Sequence, residues 1–165
     1  MAIILGGTLT LMLGSIPVVD TLSSSWKEMT QLAGEMKRTE IITDNCTVLD
    51  AGAQVQVTIS NEGQVSLSNF DSWDVIVKYT GADDTYVKWL PYTSNPPENN
   101  KWSVEGIYFN GSPETIEPNI LNSGEDMKIV MQLAPEVEVN TTNQITISTP
   151  NGVITKSIFQ RGGAE

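Results

Sequence analysis

Met1–Val19, MAIILGGTLTLMLGSIPVV, carries no charge, and Asp20–Ile42, DTLSSSWKEMTQLAGEMKRTEII, changes character without a clear break. Read together they predict one long helix in two surroundings. The first nineteen residues are almost continuously apolar, with Gly6, Gly7 and Gly14 leaving room for close backbone approach, as in a helix surrounded by lipid or by other helices. At about 1.5 Å per residue they would span roughly 28 Å, close to the thickness of a bilayer core. Pro17 lacks an N–H and is expected to kink or locally melt this helix around Gly14–Pro17.

From Asp20 onward Leu22, Trp26, Met29, Ala33 and Met36 recur at alternating steps of four and three, with Lys27, Glu28, Glu35, Lys37 and Arg38 between them. That spacing draws an apolar stripe along one helix face. Such a stripe can dock a helix on its own domain or join helices of different subunits. Trp26 reads equally as a membrane-interface anchor or as a plug where helix meets domain.

After Ile42 the pattern changes to β-branched residues, alternation and turn clusters. Ala53–Ser60 puts Val55, Val57 and Ile59 on one face, and Asn61-Glu62-Gly63 follows with turn chemistry. Val65–Phe70 can continue a hairpin. Asp74–Thr80 is a clean strand, followed by the Gly81–Asp84 turn and Tyr86–Leu90. Pro91–Asn100, PYTSNPPENN, cannot hold a central strand. Trp102–Phe109, a short piece around Thr115-Ile116, Met127–Leu133, Gln144–Ser148 and Val153–Phe159 complete the set, the last two joined across Asn151-Gly152. Seven to nine short strands with turns every eight to a dozen residues are the pattern of an antiparallel sandwich. The expected fold is thus α+β: a long N-terminal hydrophobic α-helix, residues 1–42, followed by an antiparallel immunoglobulin-like β-sandwich over 43–165. Its two sheets would be held by Trp73, Trp89, Trp102, Tyr108 and Phe109.

The net charge of −11 is concentrated in the second part, where residues 43–165 carry six basic and sixteen acidic side chains. A surface that acidic repels nucleic-acid phosphates, so nucleic acid is not an expected partner. The chain has no histidine and one cysteine, Cys46, which removes an intrachain disulfide and the usual residues of acid–base, nucleophilic and transition-metal chemistry. No catalytic residue, metal ligand or cofactor is expected. Paired acids at Asp71/Asp74, Asp83/Asp84 and Glu125/Asp126 lack the spacing of a calcium loop and read as solvated carboxylates. Three N-x-[ST] sequons, at Asn45, Asn110 and Asn140, fall at turns or element junctions and are candidate acceptors of N-linked glycans.

No Lys or Arg precedes Lys27, whereas a signal peptide or ordinary anchor opens with basic residues. Either a basic leader has been removed or the orientation is unusual. An apolar helix of about forty residues followed by a disulfide-free, acidic, sequon-bearing sandwich resembles an archaellin, within the type IV pilin superfamily; Leu5, where bacterial pilins typically have glutamate, makes the chain more similar to archaellins. The resemblance implies a homo-oligomer: an extracellular helical filament at the cell surface, serving motility, whose subunits wait in the membrane before assembly and pack by their helices. Ile3, Ile4, Gly6, Gly7, Leu11, Gly14, Pro17, Val18, Leu22, Trp26, Met29 and Met36 would form that packing interface. The rival readings are a membrane-anchored archaellum accessory or stator protein with an external sandwich, an adhesive type IV pilus subunit, and a membrane-tethered enzyme or solute-binding domain.

Overall fold

Strict alternation in Gln54–Asn61, Asp74–Thr80 and Thr142–Ser148 sends Val55, Val57, Ile59, Val75, Val77, Tyr79, Ile145 and Ile147 to one side of their strands, and all eight are buried. Two sheets meet over this set. In the computed structural model, which describes residues 16–163, helix α1 (Ile16–Arg38) is followed by nine strands: β1 (Ile41–Leu49), β2 (Gln54–Asn61), β3 (Asp74–Thr80), β4 (Thr85–Leu90), β5 (Lys101–Phe109), β6 (Ser112–Pro113), β7 (Asp126–Gln132), β8 (Thr142–Ser148) and β9 (Ile154–Gln160). One sheet has the order β1-β2-β7-β5-β6 and the other β4-β3-β8-β9. Every strand pair is antiparallel.

The chain divides after Gly34 into two units. In the second, Trp73, Trp102, Leu90, Leu121, Met127, Ile129, Met131 and Leu133 complete a single core with the alternating strand residues. Each large side chain removed from water here contributes about 1.5–3 kcal/mol, which stands in for the missing inter-sheet disulfide. Trp73 donates from Nε1 to the Ser68 carbonyl at 3.1 Å and meets Phe70 edge-on at 5.5 Å between centroids. Trp102 packs edge-on against Tyr92 at 5.0 Å.

The expected α+β architecture with a long hydrophobic helix through Ile42 is not what the structure has. Among the described residues the helix ends at Arg38, carries six charged side chains, and no helix is long and apolar enough to cross a membrane. Residues 41 and 42 belong to β1, which pairs with β2 from Ile41↔Asn61 to Leu49↔Gln54. Helical periodicity was outcompeted there because an edge-strand pairing satisfies the backbone and buries Ile41. The strand itself was masked in the sequence by Asp44 and by a bulge between Thr43 and Asn45, which break its alternation. The fold is an antiparallel β-sandwich led by one amphipathic helix. The expected kink at Gly14–Pro17 lies largely outside the described residues.

Smaller expectations also shift. Val65–Phe70 supplies only an isolated bridge, Leu67↔Leu121, before a 3₁₀ turn at Phe70–Ser72, and the piece near Thr115-Ile116 is replaced by β6. Of the five aromatic residues assigned to the inter-sheet core, Trp73 and Trp102 are buried, whereas Trp89 and Phe109 are more than half exposed. Trp89 lies on β4 opposite Ile76 and shares that strand's outward face.

The exit from α1 is pinned by backbone contacts. Gln64 N–H donates to the Arg38 carbonyl at 2.7 Å, and the N–H groups of Glu62 and Gly63 both donate to Glu40 O. Gly63 is required there: a Cβ would lie 2.5 Å from Glu40 N and 2.6 Å from Arg38 O. The Thr39 hydroxyl donates to Glu35 O and accepts from Asn151 Nδ2, each at 2.8 Å.

Candidate assembly surfaces

Several of the chain's carboxylates take part in local structure. No group of three or more His, Cys, Asp or Glu converges among the described residues. Asp74 accepts from Trp89 Nε1 at 2.8 Å, Asp84 caps the Thr85 N–H at 2.7 Å, and the buried Glu125 accepts from Asn122 N–H at 2.7 Å. Asp74 and Asp84 are exposed, as expected of solvated carboxylates, while Glu125 is buried against that expectation. Burial pushes the Cys46 thiol up to about 12, so it is a poor nucleophile.

Two apolar surfaces remain. The first is on α1, where Leu22, Trp26, Met29, Leu32 and Met36 are all exposed, Trp26 at 70% and Met29 at 68%. Helical spacing puts them within one broad stripe, and Leu32 joins it where the sequence reading had placed Ala33. Of the other packing residues expected from sequence, Ile3, Ile4, Gly6, Gly7, Leu11 and Gly14 lie outside the described residues, while Pro17 and Val18 fall within α1.

The second surface was not foreseen. Ile76 on β3, Val87 and Trp89 on β4, and Ile154 and Ile158 on β9 all point outward from the four-stranded sheet and are exposed. Sequence alternation located the buried partners of these residues but assigned no role to the other face. The signal was present: in DVIVKYT and TYVKWL both faces of the strand contain apolar residues.

The three sequon asparagines are brought to the surface. Asn45 lies beside the β1 bulge, Asn110 holds φ 49° in the tight turn before β6, and Asn140 holds φ 57° ahead of β8; all are exposed. Positive φ suits asparagine, so Asn110 and Asn140 have a conformational reason to be there that is independent of any glycan.

The fold and its surfaces define a class: a nine-stranded antiparallel sandwich with an amphipathic helix, an apolar core and two further apolar patches left exposed. No protein-family model and no curated protein sequence matches the chain. Among solved structures it is similar to the archaellum periplasmic stator protein FlaG from Sulfolobus acidocaldarius, with a TM-score of 0.55 and 21% identity over 73% of this chain and 99% of that one. The FlaF–FlaG stator complex of the same organism matches at the same score and identity, covering 89% of that chain. The archaeal flagellum of Methanospirillum hungatei matches with a TM-score of 0.52 and 11% identity over 91% of this chain and 82% of that one. At these identities the likeness is one of fold.

Proposed function

We propose that this chain is a non-catalytic, stator-like accessory component of an archaellum-type machine, holding its acidic sandwich outside the cytoplasmic membrane. The carrying observation is that the sandwich reproduces nearly the whole length of the stator protein it resembles. The physical features agree with a fixed scaffold: a large disulfide-free core, polar groups spent on turns, and an exposed apolar stripe on α1 for binding another subunit. The uncharged Met1–Val19 stretch would associate with the membrane, and Asn45, Asn110 and Asn140 would be available for N-linked glycans on an exterior surface.

A second reading, the subunit of a motility filament, is favoured by one observation. The match to the archaeal flagellum covers more of this chain than the stretch from Ile41 to Gln160 amounts to, so it extends beyond the strands. In that reading Leu22, Trp26, Met29 and Met36 pack against neighbouring copies, and a head-to-tail contact that does not close builds the filament.

Filaments sheared from the producing cells, with their main band identified by N-terminal sequencing, decide between the two. The stator reading expects the chain at low copy in the envelope fraction while another protein forms the filament. Its recovery as the principal filament band would overturn that reading and establish the second.

A further inference from the structure

The outward face of the four-stranded sheet is not acidic, unlike the sandwich as a whole. Of the chain's nine basic and twenty acidic residues, it takes Lys78, Lys156 and Asp74. The cross-strand register fixes its layout. Trp89, Ile76, Thr146 and Lys156 form one row across β4, β3, β8 and β9, and Val87, Lys78, Gln144 and Ile158 form the next. On the other side of the Ile76 row stand Asp74, Ser148 and Ile154.

This pattern is self-complementary. A two-fold axis lying between two such faces, running across the strands at the Ile76 row, reverses strand direction and places β3 over β3. Asp74 and Lys78 are each two residues from Ile76, about 7 Å along the strand, so each carboxylate meets the ammonium of the other copy. On β9, Ile154 and Ile158 flank Lys156 equally, so each isoleucine meets the other's counterpart. Trp89 and Ile76 meet their own copies at the axis. The central pairs stay close in spite of sheet twist, because aligned sheets pack within about 30° of each other.

From this charge and apolar matching we infer that the outward face of the four-stranded sheet is an isologous docking surface for a second copy of the same chain, centred on Ile76 and held in register by two Asp74–Lys78 pairs. The alternatives fit less well. An anionic lipid surface would attract Lys78 and Lys156 but repel a chain of net charge −11. A second copy carries the same net charge, yet this face brings two lysines against one aspartate, and exposed charges beyond about 8 Å are screened at physiological salt. Lys156 meets its own counterpart, but on an edge strand where its ammonium reaches water.

The size of the contact sets its strength. Four strands about 4.8 Å apart and seven residues of about 3.3 Å give a footprint of roughly 440 Å² per copy. A standard interface buries about 800 Å² per partner, so this contact is at the weak, concentration-dependent end. It does not depend on whether the chain is a stator or a filament subunit.

The test is sedimentation of the full chain in mild detergent over a concentration series, for the parent, Asp74→Lys, Lys78→Asp and the double exchange. Each single exchange sets two like charges against each other and is expected to weaken dimerisation by roughly tenfold; the double exchange restores it. Ile76→Cys in a Cys46→Ser background is expected to be joined across the dimer by a short bismaleimide, because sheets about 10 Å apart hold the two Cα atoms beyond disulfide reach, and Lys156→Gln is expected to tighten the dimer. Ile154→Glu and Ile158→Glu, at exposed sites where folding is undisturbed, provide a second way to break it. Equal behaviour of all variants places association elsewhere, on α1 for example, and overturns the inference. So does a chain that stays monomeric throughout, or one that instead binds phosphatidylglycerol vesicles through Lys78 and Lys156. None of these readings touches the cell-fraction result that tests the stator role, so the two can fail separately.

Discussion

Asn61→Ala probes the junction that holds the end of β2 to the rest of the sandwich. The Asn61 side chain is fully buried; its Nδ2 donates to Val65 O and Leu121 O, each at 2.9 Å, and its Oδ1 accepts from Gly63 N–H at 3.1 Å. Three hydrogen bonds at about 1 kcal/mol net would sum to about 3 kcal/mol. Two of the partners keep another bond: Leu121 O also accepts from Leu67 N–H, and Gly63 N–H also donates to Glu40 O. The expected loss is therefore about 2 kcal/mol, most of it from Val65 O and from the space the amide leaves. For a domain of this size that lowers the melting midpoint by roughly 8 °C. Thermal and urea unfolding of the full chain by circular dichroism measure it. Asn61→Asp keeps the acceptor but removes both donated bonds and buries a carboxylate, so at neutral pH it is expected to fall below Asn61→Ala. An Ala variant within about 1 kcal/mol of the parent, or an Asp variant as stable as the parent, would refute the reasoning.

Gly63→Ala drives a Cβ into the backbone of Arg38 and Glu40 and is expected to cost about 2–3 kcal/mol, read from the same unfolding curves. Trp73→Ala removes a buried ring and its bond to Ser68 O, a loss of about 3–5 kcal/mol, whereas Trp89→Ser on the exposed face is expected to stay within about 0.5 kcal/mol; urea midpoints separate the two. Stability is expected to fall in alkali. Burial raises both Cys46, from 9.0, and Tyr79, from 10.0, to about 12, so the folded state resists their ionisation. Their contribution is full below pH 9 and is lost as the pH climbs toward 12, because the unfolded chain releases these protons first. Cys46→Ser should make the early part of that decline shallower, as seen in unfolding curves at a series of pH values.

Several elements were legible from local pattern alone. Asp74–Thr80 was read with the bounds that β3 has, and β2, β5, β7, β8 and β9 differ from their expected spans by one or two residues at an end. Alternation over six or more residues with one face buried permits a single register, since a one-residue slip would expose every core side chain. β1 was not legible. Its residues Ile41–Leu49 include Asp44, Asn45 and a bulge, and their strand state comes from pairing with β2 rather than from their own pattern.

The candidate surfaces divide the same way. The stripe of Leu22, Trp26, Met29 and Met36 follows from spacing, because neighbours on a helix face are fixed by its 3.6-residue turn. By itself the sequence determined the sandwich class, the acidic surface, the amphipathic helix and the loss of histidine and disulfide chemistry, all of which depend on composition or on local periodicity. Only the tertiary structure decided that Trp73 and Trp102 enter the core while Trp89 stays outside. It alone set Ile76 beside Trp89 and Thr146 beside Lys156. Those choices depend on which strands pair and in what register, and pairing is a long-range outcome of burying one common core.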